Sequence, residues 1–228
     1  MIELKNVSKS YEKGKRALKN VSLTIEDGEF VFVMGRSGAG KSTLLRLLMK
    51  ETEPTEGTLV VNDVDLNRLS RRNVPKYRRT IGVVFQDFRL LNDRTAYENV
   101  AFAMQVIEAP SYKIRKRVNE VLELVGLKDR GNNYPGEMSG GEQQRVAIAR
   151  AIVNDPLLVI ADEPTGHLDP ETSTEIMEIF TQINSHGTTI IMATHDKTMV
   201  DYMQKRVIAL ENGRIVRDDR KGVYGYEV

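Results

Sequence analysis

Cysteine is absent from the 228-residue chain. Its absence excludes disulfide bonds, thiolate nucleophiles and cysteine-ligated metals, and it is compatible with a reducing cytoplasm. An excess of charge of one sign is missing too, because 33 basic residues stand against 32 acidic ones and the net charge is +1. This balance offers nucleic acid no general electrostatic attraction, so no nucleic-acid partner is expected.

Long hydrophobic runs are also missing. The longest unbroken runs, such as residues 30–34 and 157–161, contain about a quarter of the roughly 20 apolar residues that a membrane-spanning helix requires. Residues 1–5 lack the charged-then-apolar layout of a secretory signal. The sequence therefore predicts a protein inside the cell that does not itself cross a bilayer.

Enough apolar material is present for a core, since 40% of the residues are hydrophobic. The first ninety residues are rich in β-like segments, whereas residues 96–153 show the three- and four-residue apolar spacing of helices. Strand-like and helical segments then alternate, which predicts an α/β fold with a mostly parallel sheet. The expected strands cover residues 2–4, 21–25, 30–34, 58–61, 81–85, 157–161, 188–193 and 207–210, and the expected helices residues 42–50, 96–107, 111–125, 141–153, 170–185 and 197–203.

Residues 35–42 fit the pattern G-x-x-x-x-G-K-[ST] of a phosphate-binding loop, and they lie between an apolar run and a helix-like segment. Glycine in this pattern lets consecutive backbone N–H groups turn inward. Lys41 supplies a positive charge for the β- and γ-phosphates, and the hydroxyl of Ser42 suits Mg²⁺. The chain is therefore predicted to bind a nucleoside triphosphate.

Two carboxylates, Asp162 and Glu163, follow the apolar strand 157–161. A buried parallel strand delivers them to the carboxyl edge of the sheet, where the phosphate-binding loop also opens. Side chains alternate along a strand, so one acid is expected to serve Mg²⁺ and the other to address an attacking water. Alone, the pair is equally typical of a solvated strand end. His195 ends another strand expected at the same edge, although a lone histidine is more often structural.

A helix start is predicted at Ser139, because Ser139 and Glu142 have the spacing of a capping box. The two glycines between them, Gly140 and Gly141, add a second feature. Bare backbone at a helix N-terminus is suited to an anion, so this segment is a candidate for a second phosphate contact.

Together these residues resemble the nucleotide-binding domain of ABC-type ATPases, and the resemblance covers nearly the whole chain. It implies a P-loop NTPase fold with a mostly parallel core sheet, an N-terminal antiparallel β subdomain and a helical insertion. Residues 1–90 and 146–228 would form the core with the β subdomain, and residues 91–145 the insertion, within a single nucleotide-binding domain. The matching positions are Tyr11, Gly35 to Thr43, Gln86, Ser139 to Glu142, Asp162, Glu163, Gly166 to Asp169 and His195.

The resemblance also implies chemistry and assembly. ATP would be hydrolysed with Mg²⁺ by a head-to-tail homodimer, in which Ser139, Gly140 and Gly141 of one copy contact the γ-phosphate held by the other, and Glu142 belongs to the same cofactor-binding segment. Without the resemblance, Tyr11 would be an ordinary aromatic residue and Gln86 a polar residue after a strand. The implied roles are adenine stacking for Tyr11; phosphate binding for Gly35, Arg36, Ser37, Gly38, Ala39, Gly40, Lys41, Ser42 and Thr43; Mg²⁺ binding for Ser42, Gln86 and Asp162; water positioning for Gln86; proton abstraction for Glu163; γ-phosphate contact for Lys41 and His195; and a link between the two sites for Asp169.

Within this family, residues 85–100 are most similar to those of the members that act in cell division. This similarity implies an integral membrane partner, a place on the cytoplasmic face of the membrane at the septum, and indirect control of a peptidoglycan hydrolase. Phe88, Leu90 and Leu91 are candidates for docking the partner, or else pack within the helical insertion. Alternatives are the ATPase of a lipoprotein-releasing or macrolide-type exporter, and a soluble nucleotide-sensing ABC protein with little hydrolysis.

Overall fold

The computed structural model describes residues 1–11, 14 and 16–221. The chain divides into two compact units. The first contains residues 1–78 and the C-terminal part from residue 189 onward, and the second contains residues 79–188.

The helices and strands follow one another in this order: β1 (Ile2–Ser10), β2 (Arg16–Ile25), β3 (Phe30–Met34), α1 (Lys41–Leu48), β4 (Glu56–Val61), β5 (Val64–Asp65), α2 (Val74–Arg78), β6 (Ile81–Val84), α3 (Ala96–Gln105), α4 (Ser111–Leu124), α5 (Gly140–Ile152), β7 (Leu158–Asp162), α6 (Pro170–Ser185), β8 (Thr189–Ala193), α7 (Lys197–Met203), β9 (Arg206–Glu211) and β10 (Arg214–Asp219). Two short 3₁₀ turns, Lys128–Arg130 and Pro135–Glu137, precede α5.

The first unit contains an antiparallel sheet and a second set of strands that are mostly parallel. Strands β2, β1, β4 and β5 lie side by side in that order, and all of their pairings are antiparallel. Strand β3 lies between β8 and β9 and is parallel to both, while β10 returns antiparallel along β9. Every residue of β3 and β8 is buried, as expected of parallel strands that are covered on both faces.

The second unit combines a parallel strand pair with four helices. Strand β6 pairs with β7 in the register Ile81 with Leu158 and Val84 with Ala161. Helices α3, α4 and α5 pack against one another, and α5 also packs against β6 and α6. The start of α3 is fixed by the fully buried Asn99, whose side chain accepts from the N–H of Leu91 and donates to the carbonyl of Arg94.

These units confirm the predicted α/β class, with mostly parallel strands, an N-terminal antiparallel sheet and a helical segment between β6 and β7. The longest described helix, α6, has 16 residues. In the part of the chain that the structure describes, no helix is both long and apolar enough to span a membrane.

Candidate nucleotide site

The phosphate-binding loop lies between β3 and α1, and its glycines are required by its geometry. Gly35 and Gly40 have φ of 149° and 117°, in a region that other residues rarely adopt. A Cβ on Gly35 would lie 2.4 Å from the carbonyl oxygen of Leu210, and one on Gly40 would lie 2.8 Å from that of Ala17. The backbone of this loop is therefore packed too closely against its neighbours to carry side chains at these two positions.

The first residues of α1 carry the polar groups that the sequence predicted for phosphate binding. Lys41 is 9% exposed, and its ammonium group donates to the carbonyl oxygen of Gly35 at 2.6 Å. This hydrogen bond holds the positive charge of Lys41 next to the first residue of the loop. Ser42 is exposed and Thr43 half-buried in the first turn of α1, which has no side-chain cap. The N–H groups of a first turn have no partners within the helix and favour an anion.

The structure brings His195 to the same end of the parallel strands as the loop. Val33 pairs with Ala193, and the N–H of Thr194 donates to the carbonyl of Val33 at 3.2 Å. His195 therefore leaves β8 where the phosphate-binding loop leaves β3, and it is exposed there. Tyr11 directly follows β1 with 37% of its surface exposed, which leaves its ring accessible.

The two predicted carboxylates lie together at the end of β7. Asp162 is the last residue of the strand, and Glu163 follows with φ of 47°, a left-handed conformation that is uncommon for a residue other than glycine. Because β6 is parallel to β7, Gln86 leaves its strand at the same end as these acids. Its amide nitrogen lies 3.2 Å from Nε2 of His167. Three predicted residues, Gln86, Asp162 and Glu163, thus lie at the same end of two paired strands.

The predicted capping box at the start of α5 is confirmed. The N–H of Glu142 donates to the hydroxyl of Ser139 at 3.2 Å, and the N–H of Ser139 donates to the carboxylate of Glu142 at 2.8 Å. Gly141 has a packing role that the sequence did not reveal, because a Cβ there would lie 2.5 Å from Cγ2 of Thr172 on α6. Gly140 is exposed in the first turn.

Asp169 caps α6 in front of Pro170, as the sequence order suggests. Its carboxylate accepts from the N–H of Thr172 at 2.9 Å and from the hydroxyl of Thr172 at 2.6 Å. These hydrogen bonds hold the pKa of Asp169 below its usual value. Because Thr172 also packs on Gly141, the turn that ends at Asp169 is tied to the start of α5.

Two polar residues of α5 hold the loops around this site, and the sequence did not single them out. Gln144 is fully buried, and its amide nitrogen donates to the carbonyl oxygen of Pro164 at 2.7 Å. Arg150 donates to the carbonyl oxygens of Phe88 and Arg89 at 2.8 and 2.7 Å, and burial lowers the pKa of its guanidinium group. Their long polar side chains in a largely buried helix were the only available signal.

Phe88 was predicted either to dock a partner or to pack within the helical insertion, and part of its environment is visible. The position that a Cβ on Gly140 would occupy is 3.8 Å from Cζ of Phe88, so the ring reaches the start of α5. Phe88, Leu90 and Leu91 are each half-buried. Each of the three residues therefore keeps part of its surface exposed.

These features are those of an ATP-binding cassette, and the comparison with known families agrees. Residues 18–166 match the family described as ABC transporter. The chain belongs to the ABC transporter family and is an ATP-binding, ATP-hydrolysing protein of that family.

Individual members of this family show which of its proteins the chain resembles. The cell division ATP-binding protein FtsE of Bacillus subtilis (strain 168) is 55% identical over 99% of this chain and 99% of its own. FtsE of Mycobacterium tuberculosis (strain ATCC 25618 / H37Rv) is 54% identical over 100% of this chain and 99% of its own. Among solved structures, a dimeric post-hydrolysis state of the ATP-binding cassette MJ0796, bound to ADP and Pi, has a TM-score of 0.86 at 39% identity and covers 99% of this chain and 100% of that one. The chain is thus similar to FtsE proteins from end to end.

Proposed function

We propose that this protein is the ATPase subunit of an FtsE–FtsX-like membrane complex in bacterial cell division. The observation that supports this most strongly is the identity of 55% to an FtsE protein over 99% of both chains. In this proposal the protein lies on the cytoplasmic face of the membrane at the septum, binds an integral membrane partner similar to FtsX, and regulates a peptidoglycan hydrolase through that partner rather than moving a solute.

We propose that hydrolysis uses the residues at the ends of the parallel strands. The amides of residues 35–43 and the ammonium group of Lys41 bind the β- and γ-phosphates. Glu163 takes a proton from the attacking water as the water oxygen bonds to the γ-phosphorus and the bond to the departing ADP oxygen breaks. Gln86 orients this water, and His195 contacts the γ-phosphate. Tyr11, with its accessible ring, stacks on adenine.

The donor groups of the chain fit Mg²⁺. Ser42, Gln86 and Asp162 offer a hydroxyl, a carboxamide and a carboxylate, which are oxygen ligands of the kind this ion prefers. Residues 1–11, 14 and 16–221 contain no group of three or more acidic, histidine or cysteine side chains suited to a metal. Mg²⁺ is commonly bound by one or two protein ligands together with phosphate oxygens and water, and we propose that arrangement here. When bound, Mg²⁺ would neutralise negative charge on the phosphates.

Dimerisation around ATP would complete each site. Ser139, Gly140, Gly141 and Glu142 form the start of α5, where first-turn N–H groups favour an anion. The capping box and the contact of Gly141 with Thr172 hold this start in place before any second copy arrives. We propose that it contacts the γ-phosphate bound by the other copy, and that Asp169 links the two sites.

The proposal is tested by isolating the membrane partner. Tagged protein is captured from detergent-solubilised membranes with ATP, and the bound integral protein is identified by mass spectrometry. We expect a protein similar to FtsX, and we expect Phe88→Ala to reduce its recovery while ATP binding persists. Tyr112→Ala is the control, because Tyr112 is 72% exposed in the same unit and lies on a different element, α4. Recovery of an exporter's permease would refute the cell-division assignment, and undiminished recovery with Phe88→Ala would refute the docking role.

A further inference from the structure

The backbone at Glu163 requires support. A residue with a Cβ at φ of 47° costs free energy relative to ordinary conformations, and it persists only where its surroundings impose it. One hydrogen bond inside the turn, from the N–H of Gly166 to the carbonyl of Glu163 at 3.1 Å, closes the backbone on itself. The turn is also contacted from the segment after β6, where the amide nitrogen of Gln86 lies 3.2 Å from Nε2 of His167. The direction of the Glu163 side chain depends in addition on an anchor close to Glu163 itself.

Gln144 provides that anchor. It lies on α5, has 0% of its surface exposed, and donates from Nε2 to the carbonyl oxygen of Pro164, the residue directly after Glu163. The distance of 2.7 Å is at the short end of the range for such bonds. The helix thereby holds the Pro164–Thr165 peptide group, one residue beyond the left-handed Glu163.

The carboxamide at this position satisfies one buried group and leaves another without a partner. The other end of the Gln144 side chain, Oε1, is buried and has no hydrogen-bond partner within the described part of the chain. Burying an acceptor without a partner is unfavourable, so this side chain makes one hydrogen bond and leaves one group unsatisfied. An apolar side chain of the same size would avoid the second cost but would leave the carbonyl oxygen of the buried Pro164 without this donor, so the two costs nearly cancel.

We infer that Gln144 is a positioning residue that sets the direction of the Glu163 carboxylate through the carbonyl of Pro164. The inference rests on the proposed role of Glu163 as general base. It also connects two parts of the site, because Gln144 lies about 7.5 Å along the helix axis from Ser139, at a rise of 1.5 Å per residue. The helix whose start is proposed to contact the second copy's nucleotide therefore also holds the base of its own copy.

The test replaces the carboxamide by an apolar group of similar shape. We expect Gln144→Met to lower kcat about 10- to 100-fold, because a misdirected base loses most of its advantage, while the KM for ATP stays within about twofold. The midpoint of thermal unfolding should move by less than about 4 °C, since removal of the unpartnered Oε1 offsets the loss of the donor to the Pro164 carbonyl. A purely structural role would instead lower stability and leave kcat per folded molecule unchanged.

Asn154 offers a matched control. Its amide nitrogen donates to the carbonyl of Ala103 on α3 at 3.1 Å, and its Oδ1 is likewise buried without a partner in the described residues. Asn154 precedes the amino end of β7, whereas Glu163 follows its carboxyl end. Asn154→Leu thus removes the same kind of bond at the opposite end of this strand and should leave kcat unchanged. A similar loss of kcat in both variants would overturn the inference.

Two further variants make the outcome decisive. Gln144→Leu repeats the test with another apolar side chain; if neither variant folds, Gln144 serves stability and the inference is overturned. Glu163→Gln is the reference: if it loses hydrolysis while Gln144→Met keeps the wild-type kcat, only the inference fails. If Glu163→Gln itself retains full hydrolysis, the proposed role of Glu163 fails first.

Discussion

The two hydrogen bonds of Arg150 predict how much stability is lost when its side chain is replaced. Its guanidinium group donates to the carbonyls of Phe88 and Arg89, two consecutive residues with φ of 54° and 50°. A hydrogen bond to a charged group contributes about 1.5–3 kcal/mol, and partial exposure together with the recovered hydration of the guanidinium group reduces this to about 1–1.5 kcal/mol each. Arg150→Met should therefore lower the free energy of unfolding by about 2–3 kcal/mol.

For a chain of this length that loss corresponds to about 4–12 °C in the midpoint of thermal unfolding. Arg150→Lys should lose about half as much, because a single ammonium group reaches one carbonyl where the planar guanidinium group reaches two. Circular dichroism measures the midpoint. In both variants, hydrogen exchange over residues 86–91 should be accelerated relative to the wild type more than exchange over β7.

Lys128→Met serves as the control. Lys128 forms a 2.7 Å ion pair with Glu123 in which the side chains are 68% and 63% exposed, and such pairs contribute little. The midpoint of thermal unfolding of Lys128→Met should differ from that of the wild type by no more than about 2 °C. If Arg150→Met is as stable as this control, or if exchange at residues 86–91 is unchanged, the two carbonyl contacts do not support the loop and the reasoning is refuted.

Two further predictions concern the site. Glu163→Gln should lower phosphate release about 10²- to 10⁴-fold and leave an ATP-loaded dimer that persists in gel filtration, with Lys41→Ala as the control that forms none; wild-type phosphate release would contradict the assigned role. Asp169→Ala should lower the unfolding midpoint near neutral pH but not in strong acid. The pKa of Asp169 is held below its ordinary value by Thr172, so its stabilising effect is present above that ordinary value and is lost as the pH falls through the lowered one. A difference in midpoint that persists in strong acid would argue against this assignment.

The sequence predicted the elements whose signal is local. Strands β3, β7 and β8 are short apolar runs followed by polar or glycine-rich segments, and the structure places each within a residue of the expected bounds. The capping box at Ser139 was equally local, because four residues contain the whole interaction. Those features need no knowledge of the tertiary fold.

Other elements depend on distant neighbours. Strand β10 has only two apolar residues among six, and it is a strand because β9 pairs with it. Strands β1 and β2 extend well beyond their expected bounds, since their exposed faces are polar. Gln144 and Arg150 could not be assigned because their partners, the carbonyls of Pro164, Phe88 and Arg89, are 20 or more residues away and carry no side-chain signature.

Helix α5 reaches two functional turns through different side chains, Gln144 to the residue after Glu163 and Arg150 to the residues after Gln86. A helix of 13 residues moves as a stiff rod on the time scale of loop motion. A rigid-body motion of α5 would therefore displace both turns at the same time. Backbone relaxation measured at Gln86 and at Glu163 should therefore share one rate constant.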